Sequence, residues 1–186
     1  MQHARQAGFP VPAVASVSGP DMVVARIDGR TMAQDLARRP WRLSAHARTL
    51  GGLHRRLHAI VAPAALVAPL GEGEALLHLD LHPENVLLGT NGPWVIDWAN
   101  AARGPAAADV AMTFVILGAF PRARSPYGAF IDLLRRRFAV EFLTAAGSAG
   151  VRGSLPAVAA RRLADTNLHD DERRAVEDLV RRMPAP

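Results

Sequence analysis

His78-Leu79-Asp80-Leu81-His82-Pro83-Glu84-Asn85-Val86-Leu87-Leu88, with Val95-Ile96-Asp97-Trp98 a short way on, is the stretch whose reading decides the fold. Asp80, Asn85 and Asp97 are polar residues that a core does not need, set among apolar ones. Their spacing suits a loop, a strand, a turn and a second strand that bring all three together. Val86-Leu87-Leu88 and Trp94-Val95-Ile96, joined across Gly89 to Pro93, read as a hairpin that holds Asn85 and Asp97 side by side. The three side chains supply one free carboxylate and two hard oxygen ligands. Mg²⁺ favours such a shell, shared with phosphate oxygens and water. The remaining carboxylate is suited to take a proton from a hydroxyl nucleophile.

The chain around this stretch has 186 residues, 49% of them apolar, which predicts a folded domain with a real core rather than disorder. There is no cysteine, so disulfides, thiolate metal sites and a cysteine nucleophile are excluded. Met1 to Gly8 is polar, no apolar signal region follows it, and no apolar run approaches the roughly 20 residues needed to span a bilayer. The expectation is a cytoplasmic protein with no membrane partner. All 22 basic residues are arginines, and lysine is absent; against 17 acids they leave a net charge of +5. That balance permits acidic partners such as nucleotides, but the charge runs read as solvated helix faces, with no nucleic-acid partner.

In chain order, residues 2–7 read as the end of a helix stopped by Gly8, and Phe9-Pro10-Val11-Pro12 as an extended connection. Two short strands follow, Ala13 to Val17 and Met22 to Ile27, around a Ser18-Gly19-Pro20-Asp21 turn. A short helix from Thr31 ends near Pro40. A long one from about Leu43 to Val61 repeats Leu43, Ala47, Leu50, Leu53, Leu57 and Ile60 every three or four residues, with Ser44 or a neighbour as its cap. Past Asp97, residues 99–105 read as a loop and Ala106 to Phe120 as a helix apolar nearly all round except at Asp109. Pro121 to Pro126 reads as a basic loop, Tyr127 to Ala146 as a helix, Gly147 to Gly153 as a flexible turn. Leu155 to Ala164 and Asp170 to Met183 close the chain as helices, the last opened by acids suited to a helix N-terminus. Strands early and helices late make the fold class α+β.

At the central stretch the chain resembles a known family. His78-x-Asp80-x-x-x-x-Asn85 followed by Ile96-Asp97-Trp98 is similar to the catalytic and metal-binding loops of the protein-kinase-like fold. The Leu81-His82-Pro83-x-Asn85-Val86-Leu87 wording, the Trp after Asp97 and Gly8-Phe9-Pro10-Val11-Pro12 look like the aminoglycoside phosphotransferase and choline kinase branch. The resemblance implies Asp80 as the catalytic base, Asn85 and Asp97 as Mg²⁺ ligands, His78 as support for the loop, and His82 as a contact to the γ-phosphate. It implies that the backbone of Val24, Ala25 and Arg26 binds the adenine of ATP, and that Asp109 braces the loop from behind. A small-molecule hydroxyl compound, such as an aminoglycoside or choline, would be the acceptor. On this reading residues 1–29 are the end of the small-lobe helix, its strands and the inter-lobe linker, and 30–186 the large lobe. The Gly-rich strand pair and the nucleotide lysine of the family have no counterpart in the sequence. A truncated, weakly active or inactive chain is therefore expected, since one such electrostatic contact is worth about 10²–10³ in rate.

Three other readings compete. His78, Asp80 and His82 alternate, and on a strand they would present two imidazoles and a carboxylate on one face, a zinc set for a hydrolase. The Arg-rich segment Leu43 to Arg56 superficially suggests a helix-turn-helix binding module, although its apolar spacing runs through Gly51-Gly52 without a turn. The third is a pseudokinase that keeps the site as a relic. Asp165, Asp170, Asp171 and Glu172 offer acids to a cationic substrate, with solvated helix-end charge as the plainer reading.

Overall fold

The computed structural model describes residues 1–19, 21–119, 128–166 and 168–181. Helix α1 (Gln2–Gln6) ends at Gly8, which takes the left-handed φ of 76° that glycine adopts without strain. Strands β1 (Val14–Ser18) and β2 (Asp21–Val24) pair antiparallel as an exposed ribbon. The second strand is shorter than expected, stopping before Ile27.

Helix α2 (Met32–Arg38) starts on a capping box. Thr31 Oγ1 accepts from the Gln34 N–H and Gln34 Oε1 accepts from the Thr31 N–H, both at 3.1 Å. A 3-10 turn at Pro40–Arg42 leads into α3 (Leu43–His58). Ser44 does not cap that helix: its hydroxyl donates to Glu141 Oε1 at 2.8 Å instead, tying α3 to the helix Gly128–Ala146. The helix runs unbroken through Gly51 and Gly52, which removes the turn a helix-turn-helix reader needs, and its apolar stripe is buried. A side chain at Gly51 would come within 2.6 Å of the Ala145 Cβ, so glycine here permits a close helix crossing.

Strand β4 (Ala75–Leu77) pairs with β7 (Ala102–Gly104), while β5 (Val86–Gly89) and β6 (Gly92–Val95) form the expected hairpin. Strand β3 (Arg30–Thr31) adds to β5, giving the order β3-β5-β6. The expected loop at 99–105 thus contains a strand; three residues are too few to display a period of two.

Helix α4 (Ala106–Ala119) is surrounded by α5 (Gly128–Ala146), α6 (Val151–Leu163) and α7 (Asp170–Arg181), as its apolar circumference requires. The expected turn over 147–153 is shorter, because α6 begins at Val151 after Gly150 takes a left-handed φ of 76°. Leu50, Leu57, Val115 and Phe142 are fully enclosed in one core, each contributing about 1.5–3 kcal/mol of burial. The α+β class is borne out. The basic loop expected at 121–126 lies outside the described residues, as do Phe120, Tyr127 and Met183. Among the described residues no helix is long and apolar enough to cross a membrane.

Candidate active site

Strand β4 delivers the chain into the loop 78–82. His78 is fully buried: its Nε2–H donates to the Ile96 carbonyl at 3.1 Å, and its ring lies against Trp98 with centroids 4.8 Å apart. Burial pulls its pKa below the ordinary histidine value, against the opposing pull of Asp109. The ring is turned into the core, where it links the loop to Ile96 and Trp98. Leu79 then takes a left-handed φ of 61°, a strained choice for a leucine. That turn breaks any strand-like alternation through 78–82: His78 points into the core while His82 stays beside Asp80, so the three do not converge as one ligand set. The zinc-hydrolase set is thereby corrected. Among the described residues the histidine–carboxylate group whose ligand atoms converge is another one, His54, His58 and Asp109.

Asp109, fully buried in the first turn of α4, holds the strained loop. Its Oδ1 accepts the Leu79 N–H at 2.6 Å; its Oδ2 accepts the His78 N–H at 3.3 Å and the His58 Nε2–H at 2.9 Å. His54 Nδ1 stands 3.5 Å from Oδ2, an electrostatic contact rather than a full hydrogen bond. Burial pushes this carboxyl up, but the two histidines outweigh it and hold it well below the usual carboxylate range. Beside it, the Thr113 hydroxyl donates to the Leu81 carbonyl at 2.7 Å and meets His54 Nε2 at 3.1 Å. Helix α4 thus grips the backbone of His78, Leu79 and Leu81, and the histidines of α3 back its two gripping side chains. Sequence reading anticipated the brace at Asp109 but missed His54, His58 and Thr113. The available signal was two histidines four residues apart on the buried side of α3.

Asp80 is mostly covered, with 18% of its side chain exposed. Asn85 Nδ2 donates to both the Asp80 carbonyl, at 2.9 Å, and Asp80 Oδ2, at 3.0 Å. His82 Nδ1 accepts the Glu84 N–H at 3.3 Å, and its Nε2 stands 3.6 Å from Asp80 Oδ1. Burial raises the Asp80 pKa, yet His82, His78 and the more distant Arg162 together bring it below the usual value. The carboxylate is ionised at neutral pH.

The hairpin register pairs Val86 with Val95, and the Ile96 N–H continues the ladder to the Asn85 carbonyl at 3.0 Å. Asn85 is therefore beside the residue that precedes Asp97. Asp97 has a left-handed φ of 60° and an exposed carboxylate with no partner among the described residues. Leu79 and Asp97 are the two non-glycine residues with positive φ among those described, and both adjoin this cluster. The donor set suits a hard cation: both Asn85 amide hydrogens are used, leaving Oδ1 as its unspoken-for polar atom, and Asp97 offers an open carboxylate.

Val24, Ala25 and Arg26 are at the exposed end of the β1–β2 ribbon. The Ala25 N–H is already given to the Ala13 carbonyl at 2.7 Å, and Arg26 pairs with Asp28 at 3.0 Å. Of the acids weighed for a cationic substrate, Asp171 pairs with Arg174 and Asp165 with Arg162.

Residues 62–150 match the sequence model of the phosphotransferase enzyme family, APH. No curated protein matches the chain. Among solved structures it is similar to a thermostable mutant of aminoglycoside phosphotransferase APH(4)-Ia in its apo form, at 19% identity and a TM-score of 0.62, covering 97% of this chain and 80% of that one. It is also similar to an aminoglycoside-3'-phosphotransferase of type VIII, at 17% identity, TM-score 0.56, covering 95% of this chain and 75% of that one. A choline/ethanolamine kinase family protein from Mesorhizobium loti aligns at 17% identity and TM-score 0.53, covering 98% and 74% of the two chains. Identities this low establish shared fold. The segment that matches the family model contains the whole of His78 to Asp97, and the fold around it is the one that these phosphotransferase and kinase structures share.

Proposed function

We propose that this protein binds a magnesium–ATP complex and directs the γ-phosphoryl group to a hydroxyl of a small molecule. The arrangement of Asp80, Asn85 and Asp97 carries this reading. Asn85 uses both amide hydrogens on Asp80, which fixes the carboxylate and leaves the amide oxygen for the metal; Asp97 supplies the second oxygen ligand. The acceptor oxygen bonds to the γ-phosphorus as the bond to the β-bridging oxygen breaks, ADP leaves, and the hydroxyl proton passes to Asp80. The lowered pKa of Asp80 keeps it unprotonated and ready for that proton. Magnesium, when bound, offsets the charge of the transferring group. His82 meets the γ-phosphate from its place beside Asp80, and the backbone around Val24, Ala25 and Arg26 receives the adenine through groups other than the Ala25 N–H.

With no lysine in the sequence, nothing repeats the ammonium contact that the family places on the phosphates, so turnover by this polypeptide is expected to be slow or nil. Titration of Mn²⁺–ADP, followed by water-proton relaxation, tests the site without requiring turnover. Asp97→Asn should weaken binding by about tenfold or more, the scale of one charge-assisted contact. Asp80→Asn should keep binding and abolish whatever transfer the chain performs. Unchanged Mn²⁺–ADP affinity in Asp97→Asn would remove the metal assignment. Robust phosphorylation of a small alcohol by the unmodified chain would remove the expectation of slow turnover.

A further inference from the structure

A cleft of about 530 Å³ lies between α2, α4 and α5, against the loop that carries Asp80. Its size falls in the range of small-molecule sites. Pro83 and Glu84, which form one wall, follow Asp80 by three and four residues. Leu36, Leu43, Leu117 and Leu134 make the other walls, with Phe138 inside and Phe130 at the mouth. Phe130 leaves 58% of its surface to solvent, a large apolar side chain held open beside an apolar cleft.

The charges on this cleft are few and balanced. Glu84 is its one acid, and it already accepts from the Thr31 hydroxyl at 3.4 Å. Arg135 is its one base, placed 3.8 Å from Asp132. A polycation entering here would lose hydration against leucine and phenylalanine with a single carboxylate in return, an unfavourable exchange. An apolar body would remove the exposed Phe130 and the leucine walls from water at no such cost.

We infer that this cleft is the acceptor pocket and that its occupant is a largely apolar alcohol carrying at most one positive charge, rather than a polycationic aminoglycoside. The inference rests on the phosphotransferase reading above for the direction of the hydroxyl, toward Asp80. The apolar preference itself comes from the cleft walls.

Binding to the full 186-residue chain separates the two ideas, because it needs no nucleotide. Decanol is titrated calorimetrically into the unmodified protein and into Phe130→Ala and Leu134→Ala, with circular dichroism as the check on folding; neomycin is titrated in parallel. Saturable decanol binding, weakened about tenfold by each substitution, is expected, the factor being that of one buried apolar side chain. Absent decanol binding, or binding indifferent to both cleft substitutions, would overturn the pocket. So would neomycin binding that exceeds decanol binding and falls in Glu84→Gln. Failure of Mn²⁺–ADP to bind would instead remove the phosphotransferase reading and leave the decanol result standing.

Discussion

The carboxylate of Asp109 on α4 accepts the main-chain N–H of Leu79 at 2.6 Å, and Leu79 is the residue whose left-handed φ of 61° turns the chain toward Asp80. The helix behind the site thereby fixes a backbone conformation that leucine would otherwise avoid. Geometry at Asp80 is set from a fully buried position on another element.

Removing that carboxylate should cost more than an ordinary core polar change. Asp109→Ala strands the N–H groups of His78 and Leu79 and leaves His58 without its partner; a loss of about 3–5 kcal/mol is expected. Asp109→Asn keeps one acceptor oxygen and should cost less, about 1–3 kcal/mol. Urea unfolding followed by circular dichroism distinguishes the two, and equal values would mean that the charge contributes nothing.

Leu79→Gly sets two effects against each other. Relief of the left-handed conformation gains about 1–2 kcal/mol. Loss of a leucine side chain that is only 4% exposed costs about 2–5 kcal/mol. The cavity should win, leaving the variant about 1–3 kcal/mol less stable by thermal denaturation. A more stable variant would show that strain at this position is the larger quantity.

Gly51 and Gly52 are neighbours on α3 with opposite surroundings. A Cβ at Gly51 meets Ala145 at 2.6 Å, whereas one at Gly52 meets nothing within 4 Å. Gly51→Ala should push α3 from α5 and destabilise by about 1–3 kcal/mol. Gly52→Ala should stabilise by up to about 1 kcal/mol through helix propensity. Melting temperatures moving in the same direction for both would contradict the close crossing.

Stability should fall in two stages as pH is lowered. His78 has a lowered folded pKa, so below about pH 6.5 the unfolded chain takes up a proton that the buried ring refuses, and stability declines until that lowered value is reached. Asp109, Asp80, Asp35 and Glu141 are all held below their ordinary values. Their contribution is complete above the unfolded carboxylate range, near pH 4, and is lost as pH falls through their folded values. Denaturant midpoints measured from about pH 8 to about pH 3 should show both stages, with the acid stage shallower in Asp109→Asn. A midpoint independent of pH below about pH 4 would remove the ionised Asp109 from the account.

The candidate site was legible because its parts are local. Asp80, Asn85 and Asp97 are joined by one loop and one hairpin, and the alternation and turn residues of 86–96 identify that hairpin without reference to the rest of the chain. The long helices were legible for a similar reason, since Leu43 through Leu57 repeat a face at every turn. Boundaries failed where another element intervened. Ser44 looked like a cap until Glu141, distant in sequence, took its hydroxyl. Strands β3, β4 and β7 are too short to advertise themselves, and each exists through its partner. The imagined zinc set on 78–82 assumed an extended strand, which the turn at Leu79 replaces.

By itself the sequence determined the α+β class, the pattern that resembles a phosphotransferase, and the absence of lysine and cysteine. These are matters of residue type and short-range spacing. The tertiary structure alone decided that His54, His58 and Thr113 join Asp109 beneath the loop, and that apolar faces of α2, α4 and α5 leave a cleft beside it. Those outcomes depend on which helix faces meet, and helix faces far apart in sequence carry no mark of their partners until packing brings them together.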